Sequence, residues 1–167
     1  MSKETKPIIV VLGVSGSGKS TIGAMLGEAI DVPFYDGDDF HPKANKDKMA
    51  AGHPLDDEDR EPWLLALARH IETKSKERGA IIACSALKEK YRETLSQYYD
   101  GDIIWVYLHG DQKTLAERLS ARKGHFFDPK LLANQLEVLE APAYAWRFDI
   151  SQAPKQIVAG IVDLMNR

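Results

Sequence analysis

Eight residues, Gly13-Val14-Ser15-Gly16-Ser17-Gly18-Lys19-Ser20, satisfy the spacing G-x-x-x-x-G-K-[ST] at every fixed position. Glycines at these points let the backbone curl until successive N–H groups point inward at phosphate oxygens. The Lys19 ammonium then reaches the β- and γ-phosphates, and the Ser20 hydroxyl is placed to ligate Mg²⁺. The chemistry implied is the binding of a nucleoside triphosphate. Thr21 adds a second hydroxyl, explained equally well as a helix N-terminal residue or as a contact to the α-phosphate.

A second chemical cluster follows at Asp36-Gly37-Asp38-Asp39-Phe40-His41. On an extended backbone Asp36 and Asp38 share a side, and Gly37 lets the chain come close to a ligand, so two carboxylates can stand beside the phosphates. One can serve a metal ion and the other an acceptor hydroxyl; an acidic turn that caps the next helix accounts for the same residues. His41, ahead of Pro42, is either a loop histidine or a ligand group. Lys88 and Arg92 lie four apart, suiting either an anionic substrate or a solvated helix face. Arg118 and Arg122 have the same spacing and precede Lys123-Gly124-His125. Cations at a helix C-terminus are favourable in themselves. A phosphoryl-transfer site also needs positive charge that closes over the γ-phosphate, with Gly124 as the hinge. The acidic run Asp56 to Asp59 reads as the electrostatics of a helix start, with Glu61 and Pro62 in its first turn.

These residues need a scaffold that brings them to one edge. Ile8 to Leu12 is a continuous β-branched run ahead of the loop, and Ile22, Met25, Leu26, Ala29 and Ile30 recur at helical spacing behind it. Strand-like runs return at Val32 to Tyr35, Ala80 to Cys84, Ile103 to Leu108 and around Phe148 to Ile150, with helical stripes at Leu64 to Ile71 and Ile157 to Met165. The alternation predicts a five-stranded parallel sheet flanked by helices in three layers, with ligands gathered at the carboxyl ends of the strands. The segment from Asp36 to Leu64 is expected to cover a substrate, and residues 118–130 to form a mobile lid.

Composition narrows the function classes. The chain has 167 residues, enough for one domain but not for a second catalytic one. A net charge of −3 gives no basic field for nucleic acid, and no stretch is long and apolar enough to span a membrane. Cys84 is the only cysteine, which excludes an intrachain disulfide and fits a buried strand thiol in a cytoplasmic protein. GTPase switching is disfavoured, because Asn45-Lys46-Asp47-Lys48 puts its aspartate one position too early for N-K-x-D.

Beyond the phosphate loop, several runs together resemble gluconate kinase of the small, shikimate-kinase-like type. They are Asp36 to Pro42 with Asn45, Lys48-Met49, Gly52 and Pro54-Leu55; Asp57, Asp59-Arg60 and Pro62-Trp63-Leu64; Cys84 to Lys88 with Tyr91-Arg92; Tyr107-Leu108 with Gly110; and Arg118-Leu119 with Arg122 to Phe127. The resemblance spans nearly the whole chain and implies a P-loop kinase fold. It further implies ATP- and Mg²⁺-dependent phosphorylation of D-gluconate to 6-phospho-D-gluconate, feeding the pentose phosphate or Entner–Doudoroff routes, usually by a homodimer. It makes Asp36 the magnesium-side carboxylate, Asp38 the residue that binds and deprotonates the acceptor hydroxyl, Arg118 the cation over adenine and Arg122 a phosphate contact. Arg60, Lys88 and Arg92 become candidates for the substrate, and His41 for a sugar hydroxyl. The alternatives are a kinase for another small acceptor (shikimate, adenylylsulfate or a nucleoside monophosphate) and a nucleotide-binding regulatory module.

Overall fold

The computed structural model describes residues 6–122 and 129–167. Its five strands are β1 (Ile8–Leu12), β2 (Phe34–Asp36), β3 (Ala80–Ala83), β4 (Ile104–His109) and β5 (Trp146–Asp149). All are parallel, in the order β2-β3-β1-β4-β5. Every residue of β1 and β3 is buried. Successive side chains of a strand point to opposite faces, so the sheet is covered on both sides, as the unbroken apolar runs require. The edge strand β5 alternates instead between half-buried and exposed positions.

Among the described residues seven α-helices link and flank the strands: α1 (Lys19–Ile30), α2 (Lys43–Ala50), α3 (Asp57–Ser75), α4 (Glu89–Ser96), α5 (Gln112–Ser120), α6 (Pro129–Val138) and α7 (Pro154–Met165). The predicted stripes form the core: Leu64, Leu67 and Ile71 from α3, and Ile157 and Ile161 from α7, pack with the β1 residues. α1 packs on α7, and α3 on α4.

The ends of strands β3, β4 and β5 are displaced by one or two residues from the expected ranges, and two further boundaries shape the site. β2 begins at Phe34 rather than Val32, and its chain turns at once into a 3₁₀ turn, Gly37–Phe40. α3 starts four residues before Glu61, because Asp56 and Asp59 form a reciprocal capping box. The Asp59 amide donates to Asp56 Oδ1 at 2.7 Å and the Asp56 amide to Asp59 Oδ2 at 3.0 Å, so the acidic run builds the first turn rather than preceding it. The β1–α1 junction, the acidic turn after β2 and the β3–α4 connection follow three neighbouring strands and all lie at the carboxyl edge of the sheet.

Candidate active site

The phosphate loop is held in the shape its sequence implies. Gly13, Gly16 and Gly18 all have positive φ, and Gly18 in the left-handed region caps α1. A Cβ at Gly13 would lie 2.7 Å from the Leu108 carbonyl oxygen, so only glycine fits where the loop leaves β1. Lys19 Nζ donates to the Val14 carbonyl at 3.1 Å, which folds the side chain back over the loop. Burial holds the Lys19 pKa below its ordinary value, opposed by the nearby Asp38 carboxylate and helped by the Arg122 charge. At the other side the Ser15 amide donates to Gln135 Oε1 at 2.7 Å, and Gln135 Nε2 returns a bond to Ser15 Oγ at 3.0 Å. A loop amide thus already presents its N–H to an external oxygen.

Asp36 and Asp38 come together through the 3₁₀ turn, not through strand alternation. Asp36 Oδ1 accepts from the Asp38 amide at 2.9 Å, capping the turn, and Asp36 Oδ2 accepts from Ser20 Oγ at 3.0 Å. Asp36 thus caps the turn with one oxygen and meets the Ser20 hydroxyl with the other. Gly37 is needed for a different approach from the one expected. A Cβ there would strike the Ala83 carbonyl, so its smallness lets the turn sit on β3 rather than on a ligand. Asp38 opens onto a cleft of about 430 Å³, also lined by Lys19, His41, Arg60, Trp63, Ser85 and Gln135. Although its surface meets the cleft, the crowded walls desolvate the carboxyl and raise its pKa; Lys19 pulls the other way.

His41 is buried, with its ring stacked on Trp63 at 4.0 Å and 15°. Trp63 Nε1 donates to the Gly37 carbonyl at 2.8 Å, so α3 and the acidic turn share one aromatic anchor. Arg60 is buried and its Nη1 donates to the Leu55 carbonyl at 2.5 Å and to the Tyr91 hydroxyl at 3.2 Å. Among the described residues its Nε and Nη2 make no hydrogen bond.

The structure does not bring Lys88 and Arg92 to this cleft. Lys88 pairs with Asp57 at 3.2 Å, at the start of α3. Arg92 is 2 % exposed and its donors are all taken: Nε by Ala86 O, Nη1 by Glu89 and the Tyr144 hydroxyl, Nη2 by Leu87 O and Glu140 O. Neither reading weighed from the spacing, an anion site or a solvated face, describes that side chain. Arg118 Nη2 donates to the Ile150 carbonyl at 2.5 Å, and its other terminal nitrogen lies against Gly18. Arg122 is exposed and lies beyond the end of α5, close enough to lower the Lys19 pKa. Thr21 is exposed on the first turn of α1. Gly124 and the rest of the Lys123 to Phe127 run lie outside the described residues. Cys84 is a buried thiol with its pKa pushed up to about 12 by burial, which makes it inert.

Residues to which the sequence assigns no role complete the cleft, Gln135 and Ser85 among them. Gln135 carried no local signal, since its partner Ser15 lies 120 positions away. Asn45 had one: it stands four residues after His41, across the start of α2, and it bonds that ring.

The oxygens present suit magnesium carried by a nucleotide. Ser20 Oγ and Asp36 Oδ2 are a hard-oxygen pair at the N-terminus of α1, and among the described residues no group of three or more His, Cys, Asp or Glu side chains forms a cage. Mg²⁺ characteristically takes one or two protein oxygens and completes its shell with water and phosphate.

A phosphoryl donor on the loop and an acceptor in the adjoining cleft use both halves of this arrangement, which defines a phosphotransferase of the P-loop kinase class. The shikimate kinase family profile matches residues 15–162. The chain is 43% identical over 178 residues to a probable gluconokinase of Dictyostelium discoideum, covering 98% of this chain and 88% of that one. It is 38% identical to the thermoresistant gluconokinase of Escherichia coli K12, covering 96% and 94%. A crystal structure of a gluconokinase from Sinorhizobium meliloti 1021 superposes with a TM-score of 0.86 at 41% identity, covering 97% of this chain and 95% of that one. The chain belongs to the shikimate kinase family and, within it, to the gluconokinases.

Proposed function

We infer that the protein transfers the γ-phosphoryl group of ATP to the terminal hydroxyl of D-gluconate, giving ADP and 6-phospho-D-gluconate. The observation that carries this is the open cleft beside Lys19, walled by Asp38, His41 and Arg60, in a chain whose curated relatives are gluconokinases along almost its full length. Its volume of about 430 Å³ suits a small polar ligand.

In this reading Asp38 accepts the hydroxyl proton as the hydroxyl oxygen bonds to the γ-phosphorus. The bond from phosphorus to the bridging oxygen breaks, and its electron pair leaves on ADP. The loose transition state makes orientation more important than base strength. Lys19 and the loop amides hold the phosphates, Arg118 packs on the adenine side and Arg122 meets phosphate from the 118–130 lid. Ser20 and Asp36 would hold magnesium, which when bound offsets phosphate charge. Arg60 offers its Nε/Nη2 edge to the gluconate carboxylate, since Nη1 is already engaged. A homodimer and a cytoplasmic setting belong to the same reading. Among the described residues no helix is long and apolar enough to cross a membrane.

The test is ADP release measured across gluconate, shikimate, adenylylsulfate and nucleoside monophosphates, with and without Mg²⁺. Gluconate is expected to be turned over, and only with the metal. Turnover of another acceptor while gluconate stays inert would overturn the assignment.

A further inference from the structure

Asn45 stands one helical turn after His41, on α2, and is 4 % exposed. Its Nδ2 lies 2.8 Å from the Asp59 carbonyl oxygen. A carbonyl only accepts, so the hydrogen-bond network assigns the amide nitrogen, not its oxygen, to that side. The same nitrogen is 3.2 Å from His41 Nδ1, which leaves its second N–H for the ring. Nδ1 must then accept, and in a neutral imidazole the proton falls to Nε2.

The ring is neutral at ordinary pH. Burial and the positive charges of Arg60 and Lys46 lower the His41 pKa to about 4. A second proton would also meet the Asn45 donor head-on. His41 is therefore no base, because its one lone pair is taken, but it is a fixed donor. Nε2 is 3.9 Å from Asp38 Oδ1, just beyond a hydrogen bond. The Asp38 side chain is 80% exposed to the cleft and free to turn, whereas the ring is clamped against Trp63. Any closing of this gap must come from the carboxylate.

We propose that Asn45 is a positioning residue for phosphoryl transfer: it fixes His41 as the Nε2–H tautomer, and that N–H holds one Asp38 oxygen while the other receives the acceptor hydroxyl. The proposal rests on the reading of Asp38 as the hydroxyl-binding carboxylate. It gives the pairing of a histidine and an asparagine four residues apart a catalytic reason, beyond joining α2 to α3.

Ring ¹⁵N shifts of His41 in the wild-type enzyme test the first half without a substitution; they are expected to show the proton on Nε2, and a proton on Nδ1 overturns the proposal. For the second half, glutamine can place a donor near Nε2, while asparagine reproduces only the Nδ1 side. His41→Gln is expected to keep kcat at least about tenfold above His41→Asn, with the ATP KM alike in both. Equal rates in two folded variants overturn the proposal. Asn45→Ala is expected to give mixed tautomers and about a tenfold fall in kcat. The underlying reading fails separately: wild-type turnover in Asp38→Asn would remove the role of the carboxylate and leave the tautomer result standing.

Discussion

At Asp38 two opposing effects meet on one carboxyl. Desolvation in the cleft raises its pKa, and the Lys19 ammonium lowers it, with the first the larger. A base must be ionised to accept a proton, so kcat/KM for gluconate is expected to fall on acidification with an inflection above the ordinary carboxylate range. Asp38→Asn should lower kcat about a hundredfold and remove that inflection, while ATP affinity measured by calorimetry changes far less. An inflection that persists in the variant would assign it to another group. Arg60 makes a different demand. Its two bonds from Nη1 fix the guanidinium in the cleft wall and leave the Nε/Nη2 edge unbonded among the described residues. Lysine cannot keep that edge, so Arg60→Lys should raise the gluconate KM about tenfold with the ATP KM unchanged in steady-state assays. Asp36, Asp38 and the loop residues were legible as chemical groups because their types and local spacing carry the signal. Gln135 was not, because a contact across 120 positions leaves no trace in periodicity.

The β3–α4 connection shows why an element can hide the role of a residue. Ala86 has φ of 41°, a conformation that is costly with a side chain, and it sits between Ser85 and Leu87 in the cleft wall. Arg92, one turn into α4, bonds the carbonyls of Ala86 and Leu87 and reaches Glu140 beyond α6. It thereby ties the strained turn to the chain that follows α6. Arg92→Met should cost about 3 kcal/mol, since several buried carbonyls lose their donors together. In a chain of this size that corresponds to roughly 6–12 °C in Tm. Thermal melting checks it; unchanged stability with a raised gluconate KM would return Arg92 to the substrate. The i, i+4 spacing of Lys88 and Arg92 suggests one shared helix face, but Lys88 is the extended N-cap of α4 and pairs with Asp57 while Arg92 turns inward; spacing does not say which way a helix face turns. Similarly, the Lys48–Asp59 pair at 2.6 Å and the Asn45 bond to Asp59 close the 36–64 segment on itself, joining α2 to the capped start of α3.

At the scale of the whole molecule, the buried His41 and the half-buried His70 link folding to pH. The His41 pKa falls from 6.5 to about 4 on folding, and that of His70 also falls, both chiefly through burial. Between these values the unfolded chain binds more protons than the folded one. The contribution of the two histidines to stability is therefore complete above about pH 6.5 and is lost as pH drops toward 4. Urea midpoints at pH 7 and pH 5 should differ in the wild type, and His41→Gln should reduce the difference. An equal difference in the variant would place the linkage elsewhere.

What the sequence determined by itself was local and periodic. The loop spacing marked the phosphate loop, the strand-like runs alternating with helical patterns marked five parallel strands, and the helical stripes marked the faces turned to the core. Such features arise from neighbours within a turn or a strand, where backbone geometry dictates which side chains meet. Tertiary structure decided the rest. It chose the 3₁₀ turn that brings Asp38 into the cleft, sent Arg92 inward and Arg60 to the cleft wall, and set Gln135 on the phosphate loop. It also set the ring of His41 between Asn45 and Asp38. Those outcomes depend on how helices rotate as they pack and which buried donors must find acceptors, a balance that only the assembled core resolves.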